Sequence, residues 1–162
     1  MARMPNAAEP TAAEQPEPGR VALIVGAGDA TGGAIARRFA REGFIACVTR
    51  RSSDKLAPLV DAIRAAGGQA HGFGSDARKV EDVIALVDRI ERTHGAIEVL
   101  VFNIGANVPC SVLEESARKY FKIWEMACFA GFLNAREVAR RMVARGRGTI
   151  LFTGATAGVR GS

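Results

Sequence analysis

Apolar residues gather along this chain in five short blocks: VALIV at 21–25, FIACVT at 44–49, QAHGF at 69–73, IEVLVF at 97–102 and TILFT at 149–153. Blocks of this length, apolar on nearly every residue, predict strands covered on both faces of a sheet, with QAHGF the weakest of the five. The intervening stretches carry a different period. Ala34, Ile35 and Phe39 mark one apolar helix face opposite Arg37, Arg38 and Arg41, and Gly43 ends that helix. Leu56, Leu59, Val60 and Ile63 follow the i, i+3, i+4, i+7 pattern of a second helix, capped by Ser52 or Ser53 and stopped at Gly67-Gly68. Asp76 is placed to cap a third, with Val80, Val83, Ile84, Val87 and Ile90 on its apolar side. A long helix is expected from about Ser116 to Arg145, and no proline is expected inside any helix. Strands joined by helices must run parallel, because the chain crosses back over the sheet each time. The pattern predicts a doubly wound parallel α/β sandwich of about five strands with helices on both faces.

Composition narrows the picture without changing it. At 162 residues the chain suits one domain, expected over 21–162, behind a Pro-, Ala- and Glu-rich leader at 1–20 that reads as disordered. No apolar run approaches the ~20 residues of a membrane span, so no membrane partner is expected. The net charge of +5 is read as arginines spread over solvated helix faces. The arginines at 136, 140, 141, 145 and 147 close a helix, where they meet its dipole, and lack interleaved aromatics, so no nucleic acid is expected. Cys47, Cys110 and Cys128 form no C-x-x-C pair, which points to a reducing, cytoplasmic setting. His71 and His94 lack metal-site spacing, and no metal is expected. Tyr120, with Phe121 and Trp124, reads as helix packing.

The chemistry lies in VGAGDATGGAIARRFA at 25–40. A strand, a glycine-rich turn and a helix in that order make an anion site, because unpaired N–H groups and the helix dipole point at whatever lies over the turn. Two common motifs fail here. G-x-G-x-x-G would need glycine at 31, which is Thr31, and a phosphate-binding P-loop would need Lys where Ala34 stands. Gly26, Ala30 and Gly32 instead resemble the T-G-x-x-x-G-x-G turn of the short-chain dehydrogenase/reductase family, with Val25 for Thr and Ala30 for the middle glycine. Three landmarks extend the resemblance over 21–162. Asp76 in GSDAR matches the family's adenine-holding Asp. Asn103 and Gly105 in FNIGA match N-N-A-G, and GTILFTGATAG matches the fifth strand and the catalytic-serine segment.

That resemblance implies a Rossmann-like fold and a nicotinamide dinucleotide cradled by Gly26, Gly28, Asp29, Ala30, Thr31, Gly32, Arg50, Arg51, Asp76, Ala77, Asn103 and Gly105. The second strand ends in Thr49-Arg50-Arg51 with no carboxylate from Phe44 to Ser53, which favours NADP over NAD. Asp29 opposes that choice, since its charge would repel a nearby phosphate. The family's hydride transfer between carbonyl and alcohol needs a Ser, an Asn, a Tyr and a Lys. Here the Ser position falls on Ala155, with Thr153 and Thr156 nearby. The Asn position falls on Ala127, or on Cys128 one residue on. The Tyr-x-x-x-Lys segment is expected beyond Ser162. No catalytic residue is therefore assigned, and the chain alone is expected to be inactive. Two readings stay open: the cofactor-binding portion of an oxidoreductase, or a catalytically silent relative serving as sensor or assembly partner. The family's packing implies a homo-oligomer through the long helix, and an uncovered TILFT edge is expected to self-associate. The substrate is not legible; Ala106–Ser111, with Cys110, is all that shows of its pocket.

Overall fold

Each of the five apolar blocks becomes a strand in the computed structural model, which describes residues 19–105, 108–155, 158 and 160. The strands are β1 (Val21–Val25), β2 (Ile45–Arg50), β3 (Gln69–Gly74), β4 (Ile97–Phe102) and β5 (Thr149–Phe152). The helices are α1 (Thr31–Arg41), α2 (Ala57–Ala65), α3 (Val80–Thr93), α4 (Ala117–Trp124) and α5 (Ala130–Arg145). All strands pair in parallel, in the order β3-β2-β1-β4-β5. The order reverses after β3, when the chain returns to lay β4 on the free side of β1, and such a reversal opens a crevice at the carboxyl ends of the strands.

Two cores sit on opposite faces of this sheet. Val21, Leu23 and Val25 of β1 face one core with Leu86, Val87 and Ile90 of α3 and Val138 and Met142 of α5. Ala22 and Ile24 face the other with Ala36 and Ala40 of α1 and Leu59, Val60 and Ile63 of α2. Complete burial of β1 follows from its central place, and each large side chain there contributes roughly 1.5–3 kcal/mol.

The local details depart from the sequence pattern in four places. Phe44 lies before β2, where its ring packs edge-on to Phe39 and under the Arg20 guanidinium. Neither Ser52 nor Ser53 caps α2; a 3-10 turn over Ser53–Leu56 leads into it, and Pro58 occupies its first turn, where a missing N–H costs nothing. Lys79, not Asp76, is the N-cap of α3, because the Asp76 carboxylate is engaged elsewhere. The long helix starts at Ser116, whose Oγ accepts from Lys119 N–H, and ends at left-handed Gly146, but a π turn at Glu125–Phe129 interrupts it. Such bulges cluster at functional sites.

Tyr120, Phe121 and Trp124 do not pack into this chain's core; they are exposed. Of the leader expected at 1–20, residues 1–18 lie outside the described residues, as do Ala106, Asn107 and Thr156. No helix among the described residues is long and apolar enough to cross a membrane.

Candidate functional site

The glycine turn that leaves β1 is built by backbone constraints before any ligand is considered. Gly26 has φ +88°, and a Cβ there would lie 2.9 Å from Asn103 O. A Cβ on Gly32 would lie 2.6 Å from Gly26 O. These two glycines let the turn fold back on itself. Gly28 is different: a Cβ there would meet nothing within 4 Å, so its bareness leaves room above the turn. Gly26 and Ala27 donate their N–H groups to Thr49 O, and Asn103 Nδ2 donates to Gly26 O at 3.1 Å. Asn103 thus pins the turn across the β1–β4 crevice, a structural duty beside any it has toward a ligand.

Helix α1 then begins with no side-chain cap at Ala30, and Ala34 N–H is the first to bond back, to Ala30 O. Among the described residues no backbone acceptor takes the N–H groups of Thr31, Gly32 or Gly33. Open donors at a helix N-terminus, an uncapped entry and a bare Gly28 fit a pyrophosphate.

Three hollows continue from this turn, and Gly26 and Ile104 line all of them, so they form one groove. At one end stand Arg50, Arg51, Ser75, Asp76, Ala77, Arg78 and Met126. Asp76 sits at about 2, far below its ordinary value, chiefly because the Arg78 side chain donates to it; the Arg78 N–H and the charges of Arg78 and Arg51 add, against partial burial. At the other end a hollow of about 920 Å3 is bordered by Gly28, Asp29, Ala30, Thr31, Gly32, Gly105, Ala127, Thr153 and Ala155. Ala127, not Cys128, is the π-turn residue at this hollow, which Ala155 also lines. The Thr153 hydroxyl donates to Phe102 O at 3.3 Å. Asp29 borders this hollow alone, whereas Arg50 and Arg51 border the first, and Arg50 also borders the third beside Gly28.

Several residues that shape the groove escaped the sequence. Buried Asn134 on α5 donates to Ala77 O at 3.2 Å, fixing the turn after β3. Asp82 accepts from Asp76 N–H, and Arg78 holds the Asp76 carboxylate. The one available signal was Asn134 itself, a polar residue on the stripe of Ala130, Leu133 and Val138. The basic end of α5 is consumed internally: Arg141 pairs with Asp88, Glu91 and Glu137, and Arg145 pairs with Glu91 and donates to Ile97 O. Arg147 pairs with Glu98, Arg140 with Glu137, and Arg136 lies over the Phe132 ring.

A family model described as short chain dehydrogenase matches residues 20–162. A sorbitol-6-phosphate 2-dehydrogenase of Escherichia coli (strain K12) is 29% identical over 88% of this chain and 56% of its own. The short-chain reductase protein NovJ of Streptomyces niveus is 32% identical over 81% of this chain and 50% of its own. This chain spans about half the length of such curated relatives. Among solved structures, a short-chain dehydrogenase from Rhodopseudomonas palustris superposes with TM-score 0.82 at 48% identity, covering 91% of this chain and 68% of that one. An actinorhodin polyketide ketoreductase variant crystallised with NADPH superposes with TM-score 0.83 at 31% identity, covering 89% and 56%. With its five-stranded parallel sheet and its glycine turn at the β1–β4 crevice, the chain belongs to the short-chain dehydrogenase/reductase family of oxidoreductases.

Proposed function

We propose that this chain binds NADP(H) along the groove and is the cofactor-binding portion of an oxidoreductase acting on a carbonyl or alcohol substrate. The observation that carries the reading is the continuity of the groove. Open N–H donors at the start of α1 and the arginine-lined pocket share Gly26 and Ile104 as common walls. The α1 amides would take the pyrophosphate, Asp76 and Ala77 the adenine, and Arg50 and Arg51 the 2′-phosphate. Asp29 lines neither of the hollows that Arg50 borders, which weakens its objection to that phosphate. A bound nicotinamide supplies or accepts the hydride.

Around the wider hollow this chain offers Ala127 and Ala155 at the positions of the family's Asn and Ser, and neither methyl group can donate, accept or relay a proton. Those alanines favour one second reading, a silent relative that binds dinucleotide as a sensor or assembly partner. Thiols without C-x-x-C pairing suit a cytoplasmic setting. Exposed Tyr120, Phe121 and Trp124 on α4 suit a second copy of the chain.

Titration of NADPH and NADH by fluorescence tests the reading. NADPH is expected to bind more tightly, and Arg50→Asp to reverse the order. Loss of neither preference nor affinity in that variant removes the case for NADP. Failure of both cofactors to bind the parent chain removes the assignment.

A further inference from the structure

We infer that Arg78 is a positioning residue of the groove: its guanidinium orients the Asp76 carboxylate and clasps the turn after β3 to Glu125, at the start of the π turn that carries Ala127. The inference rests on the dinucleotide reading above and deepens it.

The geometry is a two-sided grip. Arg78 Nε donates to Asp76 Oδ1 at 2.9 Å and Nη2 donates to Oδ2 at 2.6 Å, the paired fork that fixes a carboxylate plane. The Arg78 N–H also donates to Oδ1 at 3.1 Å, and the Asp76 N–H is held by Asp82 Oδ2 at 3.1 Å. Oδ1 therefore accepts two bonds within the protein and Oδ2 accepts one. A carboxylate offers about four acceptor positions, so the remaining capacity for a ligand amino group lies on Oδ2. The Asp76 side chain keeps 17% exposure and borders the pocket, so that oxygen is reachable.

On its far side Arg78 Nη1 stands 3.7 Å from Glu125 Oε2. That pair is partly exposed and weak by itself. Its consequence is mechanical, because Glu125 opens the π turn whose next two residues, Met126 and Ala127, line opposite ends of the groove. One guanidinium thus spans the adenine-side turn and the helix wall facing it. The Arg78 side chain is the chief cause of the depressed titration of Asp76, in agreement with the grip.

The test compares the full chain with Arg78→Gln, Arg78→Lys and Glu125→Gln. Asp76 is followed by carboxyl carbon NMR, and ADP-ribose, which carries adenine but no nicotinamide, is titrated by calorimetry at neutral pH. In the parent chain Asp76 stays ionised well below its ordinary range. In Arg78→Gln it returns toward about 4, and ADP-ribose affinity falls about tenfold, one charge-assisted bond's worth. Arg78→Lys, which keeps the charge without the fork, holds Asp76 ionised and recovers only part of the affinity. Glu125→Gln leaves the Asp76 titration low and weakens ADP-ribose less than Arg78→Gln does. A parent chain that binds neither ADP-ribose nor NADPH sinks the dinucleotide reading. A parent chain that binds, with Arg78→Gln unchanged in both affinity and Asp76 titration, overturns this inference alone.

Discussion

At the scale of single residues, the glycines that look alike in the sequence have separate duties. A Cβ on Gly32 would lie 2.6 Å from Gly26 O, so Gly32→Ala is expected to destabilise the fold by roughly 2 kcal/mol, measured by urea unfolding. Gly28 lies outside the left-handed region and faces open space, so Gly28→Ala is expected to change stability by no more than about 0.5 kcal/mol. The same variant should lose NADPH affinity, because its methyl group intrudes where the ligand approaches. Equal loss of stability in both variants would contradict the division. The spacing of Gly26, Gly28 and Gly32 was legible in the sequence, but which of them serves the turn and which the ligand was not, since that depends on Asn103 arriving from a strand 77 residues further on.

Elements bring together residues that no motif links. His71 on β3 and His94 just after α3 stack with ring centroids 3.9 Å apart. Burial pushes both below the ordinary histidine value; His71 is lowered further by His94 and Arg64, and His94 by Arg89. The folded chain therefore binds protons less readily than the unfolded one. Stability is present in full above about pH 6.5 and declines as pH falls through that value toward the folded-state titration. The urea midpoint is expected to be lower at pH 5.5 than at pH 7.5, and His94→Phe should flatten the difference. An equally steep profile in that variant would assign the dependence to other groups. The histidines read in sequence as unremarkable, because their spacing carries no signal for a contact made only when the fold brings β3 and the end of α3 together. The interrupted long helix belongs to the same scale. Its approximate ends near Ser116 and Arg145 were legible in the sequence, while its π turn was not, since Glu125–Phe129 has no helix breaker.

Across the whole molecule, among the apolar surfaces left uncovered in the described residues, those on β5 and α4 are aromatic-rich or lie on a strand edge. Leu151 and Phe152 on the edge strand β5 are 45% and 59% exposed, and Phe121 and Trp124 on α4 are 57% and 40% exposed. An unpaired strand edge and an apolar helix face both invite association. The 162-residue chain is expected to sediment as dimers or larger species, and Leu151→Lys to shift the distribution toward monomer. A stable monomer at high concentration would count against the expectation. The arginines near the end of α5 show the opposite outcome. Along the chain Arg141 and Arg145 read as meeting the helix dipole, and in the fold they also tie α5 to α3 through Asp88 and Glu91.

The sequence by itself determined the alternation of strand and helix, the parallel sheet and the position of the glycine turn. Those features follow from period, length and local backbone freedom, which are properties of neighbouring residues. The tertiary structure alone decided which face of each fully apolar strand meets which helix pair, because strands covered on both sides carry no alternation to read. It also decided that Asp76 would answer to Arg78 and Asp82 rather than cap α3, and that Asn134 would hold Ala77 from 57 residues away. A polar side chain selects its partner from whatever the folded chain brings within about 3 Å, and that neighbourhood exists only once the layers have closed.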